Sequence, residues 1–190
     1  MLNEWLLQLA QFFAALEWSI GLHESIYTYA WIETTHVLTL AVFLGMLFII
    51  DLRMLGILFR DVSAADLAAR LDKPMMLGFV VMVITGFVLY YAIPVRTTQS
   101  IWFRIKVVLL IAAGVNAWLF RRRMLASADT WANDLSPPPD IRRGALRSLI
   151  FWAGVVFTGR AIAYDWYDCH KPLSELMQWA AGCVNPADLG

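Results

Sequence analysis

Residues 31–50 read WIETTHVLTLAVFLGMLFII, a run that is long enough and apolar enough to cross a lipid bilayer as one helix. A membrane-spanning helix needs about 20 predominantly apolar residues to cross a hydrocarbon core about 30 Å thick. Inside this run stand His36 and Glu33, whose side chains are costly in hydrocarbon unless they face a protein interior, a cofactor or water. The pair therefore marks a candidate functional site within a predicted membrane span.

The rest of the chain supports a membrane protein with four spans. Hydrophobic residues make up 60% of the 190 residues and charged residues only 16%, which is too apolar for an ordinary soluble domain. The predicted spans cover about 27–50, 75–94, 101–120 and 148–167. We therefore predict an all-α fold, an integral membrane four-helix bundle that forms a single membrane domain over 1–190.

Segments outside the spans carry weaker signals. Residues 4–18 (EWLLQLAQFFAALEW) show a helical apolar pattern interrupted by polar residues, which predicts an interfacial amphipathic helix. After the first span, Ser63 and Asp66 give a helix-start signal for a short surface helix that ends near Lys73-Pro74. Residues 168–190 form a C-terminal tail.

The distribution of Lys and Arg predicts the orientation. Ten of the 15 basic residues lie in the loops after the first and third spans, whereas residues 1–30 contain none. Because basic loops stay in the cytoplasm, both termini are expected on the opposite side. We therefore predict a multi-pass protein of a bacterial inner membrane with both termini in the periplasm.

Two cysteines, Cys169 and Cys183, fall in the predicted periplasmic tail, where disulfides persist. A predicted helix over 172–181, stopped by Gly182, would let the chain turn back and bring the sulfurs together. Such a bridge is worth about 3 kcal/mol on the chain-entropy model. The alternative is two unrelated thiols, because sequence alone gives no geometry.

Polar residues of three predicted spans fall in the outer half of the bundle. They are His36, Glu33, Arg160, Arg104 and, closest to the start of its span, Lys106. One interpretation is a cofactor site for haem b, with His36 as axial ligand, Arg160 and Arg104 as partners of the haem propionates, and Glu33 beside them.

The second haem ligand is left open by the sequence. His170 and Met82 are the candidates, because His23 lies thirteen residues before His36 and cannot ligate the same iron from a continuous helix. A five-coordinate or subunit-bridging haem is the alternative. We name His36 and His170 as candidate metal ligands. The competing interpretation is that the polar residues satisfy one another and hold the helices in register, and a third is a proton or quinone path.

Several classes of function are excluded. The formal net charge is +0, so no basic surface indicates nucleic acid as a partner. The sequence also contains no zinc-type spacing, P-loop or dinucleotide fingerprint.

Several of these residues also support a resemblance to a known family. They are Trp31-Ile32-Glu33-Thr34-Thr35-His36-Val37-Leu38, Gly45, Asp51-Leu52-Arg53-Met54-Leu55-Gly56 and Gly159-Arg160. Over about 27–164 the chain resembles a family of small bacterial four-span proteins that is classified as a domain of unknown function. More loosely it is similar to cytochrome b561-type and copper-resistance-D-type membrane proteins, several of which carry b haem or handle copper. It lacks the multiple intramembrane histidines of the cytochrome b561 pattern, so a two-haem arrangement is not implied.

The function predicted from these features is a b-type haem electron-transfer subunit that passes electrons between quinol and a periplasmic redox partner. This describes an electron-transfer or accessory subunit rather than a stand-alone enzyme. Its expected partners are the lipid bilayer and other membrane or periplasmic redox subunits, with quinone as a further cofactor. The alternatives are a non-catalytic scaffold subunit of a larger complex and a copper-handling protein that uses His36, His23 and His170.

The orientation can be tested with reporter fusions. A reporter fused after Gly190 should report a periplasmic position, and one inserted near Ala128 should report a cytoplasmic position. An alkaline phosphatase and a fluorescent-protein fusion at each position provide matched readouts. The reverse pattern would overturn the assignment of an outer half to the bundle.

Overall fold

The computed structural model describes residues 2–132, 134, 137–164, 169 and 171–184, except the side chains of 125–130. Within that part of the chain the secondary structure elements are all helices. They are α1 (Leu2–Ala14), α2 (Glu17–Glu24), α3 (Ile26–Met54), α4 (Ala64–Ala92), α5 (Pro94–Thr98), α6 (Ile101–Trp131), α7 (Pro139–Ala163) and α8 (Glu175–Ala181).

Among the described helices, four are long and apolar enough to cross a membrane: α3, α4, the Ile101–Met124 part of α6, and α7. The all-α prediction is therefore confirmed, and the four helices are compatible with a membrane four-helix bundle. The protein is a multi-pass membrane protein, and a lipid bilayer is its environment.

The membrane helices extend beyond the predicted spans at the ends next to the basic loops, whereas α4 ends at Ala92 and α7 at Ala163, before the predicted 94 and 167. The surface helix expected to end near Lys73-Pro74 is instead the first part of α4, which continues through Pro74 to Ala92. Proline inside a helix removes the bond to the carbonyl four residues earlier, here that of Arg70. Since Arg70 is exposed among polar residues, water can satisfy that carbonyl and the helix continues. The fourth membrane helix also begins earlier than its predicted span. α7 begins at Pro139 rather than near residue 148, because proline is favoured at the first helical position.

The predicted helix over 4–18 is divided into α1 and α2. Residues 11–20 contain neither proline nor glycine, so no helix-breaking residue causes the division. Contacts with Tyr91 hold both sides of the break: the Phe13 and Tyr91 rings are 6.0 Å apart, and Ser19 Oγ donates to the Tyr91 carbonyl at 2.8 Å. Tertiary contacts, which the local sequence pattern does not reveal, thus end α1 early.

The structure divides into two compact units. The first contains residues 1–36, 83–108 and 156–190, and the second residues 37–82 and 109–155. In the first unit α1 packs on α5 and buries Leu7 and Ala10. Aromatic contacts join its longer helices, with Tyr90 stacked on Phe103 at 5.5 Å.

Two hydrophobic clusters form the core of the second unit. One consists of Phe43, Met82, Ala113, Trp152 and Val155, and the other of Ile50, Met54, Ala64, Trp131, Ile141 and Ala145. In the first of these clusters the rings of Phe43 and Trp152 meet edge to face at 4.9 Å. Close packing of this kind, rather than hydrophobic exclusion from water, holds helices together in lipid.

Buried polar side chains at the end of α3 tie the second unit to its connecting segments. The Arg53 side chain is 0% exposed and donates from Nε to the Val62 carbonyl at 2.8 Å and from Nη2 to the Asp134 carbonyl at 3.0 Å. The buried Asp51 carboxyl is hydrogen-bonded to Ser148 of α7. The Asp51-to-Gly56 segment singled out in the sequence therefore anchors the chain at this end of α3.

A second buried polar contact, between α6 and α7, gives a stability prediction. Asn116 donates from Nδ2 to the Gly144 carbonyl at 3.0 Å. Asn116→Leu should lower the free energy of unfolding by about 1 kcal/mol, because interhelical polar contacts in membranes contribute on that scale. Reversible unfolding in mixed micelles measures it, with Val115→Ala at a 52% exposed neighbour as control. Equal stability of Asn116→Leu and the wild type would show that the bond contributes nothing.

Candidate functional site around His36

His36 is held against α4 by two neighbouring residues. Its Nδ1 lies 2.9 Å from the Thr85 hydroxyl, and its Cε1 lies 3.3 Å from where a Cβ would stand on Gly86. The residue is ten positions into α3, about 15 Å along the helix axis from Ile26. The imidazole is thus fixed in direction, deep within a membrane-spanning helix and only partly buried.

The hydrogen bond at Nδ1 determines what the other ring nitrogen can do. In the tautomer with hydrogen on Nδ1, the Thr85 hydroxyl accepts the bond and Nε2 carries the lone pair. Histidines that bind metals are usually oriented in this way by a partner of the second nitrogen. The arrangement is therefore compatible with Nε2 of His36 as a ligand.

Thr85 and Gly86 were not identified from the sequence. The signal is weak: a threonine and a glycine side by side within an otherwise apolar stretch of α4. Gly86 leaves room for the imidazole, since a side chain there would lie in tight contact with Cε1. Only the pairing of α3 with α4 reveals that this stretch faces His36.

Glu33 lies one turn before His36, on the exposed surface of α3. Coulombic interactions link both Glu33 and Arg96 to the phenol of Tyr29. The Glu33 carboxylate and the Arg96 guanidinium of α5 therefore both act on Tyr29 near the start of α3.

Arg160 also lies on an exposed surface, near the end of α7. Its Nη2 donates to the Tyr164 hydroxyl at 3.0 Å, and its guanidinium carbon is 4.9 Å from the centre of the Tyr164 ring. Both contacts are with a residue that directly follows the end of its own helix. The guanidinium is thus positioned at the protein surface and can reach an anion there.

Arg104 connects three segments of the first unit. Its Nη1 donates to Oδ1 of Asn3 at 2.9 Å, its Nε donates to the Thr98 carbonyl at 3.3 Å, and Asn3 in turn donates to the Trp179 carbonyl at 3.3 Å. A side chain at Gly182, which has a positive φ of 77°, would collide with the same guanidinium. We call Arg104, Asn3, Trp179 and Gly182 the Arg104 junction. It gives this arginine a structural role that the sequence did not indicate.

Lys106, two residues further along α6, is buried against α7. Its ammonium nitrogen is 3.2 Å from where a Cβ would stand on Gly159. Glycine at 159 thus leaves room for the lysine, which gives a physical reason for the Gly159-Arg160 pair noted in the sequence.

The contacts given above join the predicted site residues to different partners. His23 is exposed at the end of α2, and His170 lies outside the described residues. Within the described part of the chain, no group of three or more His, Cys, Asp or Glu could hold a metal ion. A haem iron needs only one or two protein ligands, so this finding concerns a protein-caged ion and not haem.

In the tail, a disulfide joins Cys169 and Cys183, whose Cα atoms are 5.4 Å apart. Between them α8 ends at Gly182, whose left-handed conformation lets its N–H bond back to the carbonyls of Gln178 and Trp179. The bridge therefore closes the segment that contributes Trp179 and Gly182 to the Arg104 junction.

Four membrane-length helices with an oriented histidine in one of them define a multi-pass helical membrane protein with an intramembrane polar site. The chain belongs to DUF6644, a family of unknown function whose model matches residues 15–165. No curated protein and no solved structure matches it. The predicted family resemblance is confirmed, whereas the looser similarity to cytochrome b561-type and copper-resistance-D-type proteins stays a prediction.

The disulfide makes a prediction about the tail. In protein isolated without reductant, peptide mass analysis should find Cys169 linked to Cys183. Reduction should then increase hydrogen exchange in α8 more than in α4, because the bridge restrains the tail and not the membrane helices. Free thiols in the untreated protein, or equal effects on both helices, would contradict this.

Proposed function

We propose that the protein is a b-type haem electron-transfer subunit of a bacterial inner membrane, with both termini in the periplasm. It passes electrons between quinol and a periplasmic redox partner, and His36 is an axial ligand of the haem. The observation that carries the proposal is the His36–Thr85 hydrogen bond, which orients a histidine inside a membrane helix and leaves Nε2 as the basic nitrogen in one tautomer.

The residues around His36 fit a flat, apolar cofactor with acidic substituents. Gly86 provides space beside the ring, and the apolar residues Val37 and Leu38 follow His36 in the helix. The propionates need cationic partners near the membrane surface. Arg160 suits this role because its guanidinium is exposed and its hydrogen bond to Tyr164 lies at the surface, whereas the bonds of Arg104 to Asn3 and Thr98 are partly buried.

When bound, haem would supply a centre that accepts and releases one electron at a time. The protein residues have complementary tasks in this proposal. Thr85 holds the imidazole in position, Arg160 neutralises carboxylate charge, and the apolar side chains of α3 and α4 exclude water. In this proposal His170 is the candidate for the second axial ligand. The alternatives are a five-coordinate haem and a haem that bridges two subunits.

A scaffold subunit is the second candidate, and the same hydrogen bond supports it. A histidine bonded to a threonine on the next helix is also an interhelical contact that fixes helix register in lipid. In this case the protein would bind no cofactor, and its function would be to hold other subunits in a complex.

Haem retention after substitution separates the two candidates. His36→Ala should abolish haem binding while the protein still inserts, because alanine makes the span more apolar. Arg160→Ala should weaken retention or shift the midpoint potential without removing the iron ligand. His23→Ala is the matched control and should behave as the wild type, since His23 is exposed at the end of α2. Reduced-minus-oxidised spectra of purified protein, scaled to protein concentration, provide the measurement.

A conservative substitution in α4 tests the role of the Thr85 hydroxyl. Thr85→Val removes the hydroxyl but keeps the side-chain shape, so it should retain haem and shift its potential. Equal haem content in the wild type and His36→Ala would exclude His36 as the ligand. A wild type purified without stoichiometric haem, with His36→Ala costing about 1 kcal/mol of stability, would favour the scaffold.

A further inference from the structure

A groove of about 660 Å³ opens on the first unit, away from the contacts of His36. Its walls come from α2, the start of α3 and the end of α4, and it is lined by Glu17, Trp18, Gly21, Leu22, Thr28, Val88 and Tyr91. Its volume lies within the range of small-molecule sites in proteins. The lining combines apolar and aromatic side chains with one carboxylate and two hydroxyl groups.

Hydrogen bonds form the groove in advance of any ligand. Ser19, buried on α2, donates to the Tyr91 carbonyl at 2.8 Å and so holds α2 against the end of α4. On the opposite wall, Ser25 Oγ donates to the Thr28 hydroxyl at 2.7 Å. Gly21 has no heavy atom within 4 Å of where its Cβ would stand, so the groove is open beside this residue.

The lining of the groove favours a cation. Residues 1–30, which supply five of the seven lining residues, contain three glutamates and no lysine or arginine. Glu17 lines the groove directly, and the rings of Trp18 and Tyr91 lie in the same lining. A carboxylate together with aromatic faces is the combination that binds ammonium groups in proteins.

Position narrows the choice of cation. The groove lies where α3 begins and α4 ends, which are ends of two membrane-spanning helices, and Trp18 beside it is 84% exposed. Tryptophan at such a position marks the membrane interface, the depth of lipid headgroups. An amphiphile with an ammonium head therefore fits better than a free amine in water.

We propose that this groove binds the headgroup of an aminophospholipid, phosphatidylethanolamine. Glu17 pairs with the ammonium group, Trp18 and Tyr91 contact it through their rings, and Leu22 and Val88 contact the beginning of the acyl chains. The groove shares none of these residues with the His36 contacts.

The test compares retained lipids on the full chain. Protein reconstituted in mixed bilayers of phosphatidylethanolamine and phosphatidylglycerol is extracted in mild detergent, and bound lipids are counted by native mass spectrometry. The wild type should retain phosphatidylethanolamine in preference to phosphatidylglycerol. Glu17→Gln should lower this preference about tenfold, the loss expected for one charge-assisted hydrogen bond.

Two pairs of variants separate binding from folding. Gly21→Leu places a side chain in the groove at a position where a Cβ meets no heavy atom within 4 Å, and it should abolish retention. Gly114→Leu, at a glycine of α6 with the same open space around its Cβ, should not. Glu24→Gln, on α2 but outside the lining, is the charge control for Glu17→Gln. Circular dichroism confirms that each variant is folded.

Three results would overturn the proposal. The first is equal retention of both lipids by the wild type, which would indicate surrounding bilayer lipid only. The second is unchanged retention by folded Gly21→Leu. The third is loss of a co-purified quinone, rather than of phosphatidylethanolamine, in that variant.

Discussion

Hydrocarbon offers no hydrogen-bond partner, and this constraint accounts for the polar contacts between the membrane helices. A polar side chain between such helices is costly unless it finds a partner within the protein. His36 finds Thr85, Asn116 finds the Gly144 carbonyl, and Asp51 finds Ser148. Since each of these bonds joins two different helices, the few polar groups of an apolar chain determine which helix faces lie together.

The sequence was sufficient for the fold because bilayer thickness sets a length that can be counted. Four apolar stretches of about 20 residues could be read directly, and the structure contains four corresponding helices. Helix ends were harder to predict. The extension of α4 through Pro74 and the division at Ala15-Leu16 depend on water at a surface carbonyl and on contacts with Tyr91, which no local pattern encodes.

For the candidate site, the sequence identified His36 but not its surroundings. A histidine in an apolar span is conspicuous by its chemistry, whereas Thr85 and Gly86 become meaningful only when α4 is placed beside α3. For Arg104, the sequence suggested a role but did not reveal the residue that it contacts. Its charge and position indicated a cofactor partner, yet its donors reach Asn3, a residue 101 positions earlier in the chain. The chemistry of a side chain can thus be predicted from the sequence more readily than the residue that it contacts.

The Arg104 junction has a consequence for the order in which the protein folds. Asn3 donates to the carbonyl of Trp179, 176 residues later, so a contact at the start of the chain is completed only by its tail. Contacts between such distant residues form late, because the intervening chain must first be ordered. α1 therefore gains this partner only after the helices between Asn3 and Trp179 have formed. Trp5 and Phe12 of α1 are exposed even in the folded structure, and before the junction forms they hold α1 at the membrane interface, where such side chains are stable.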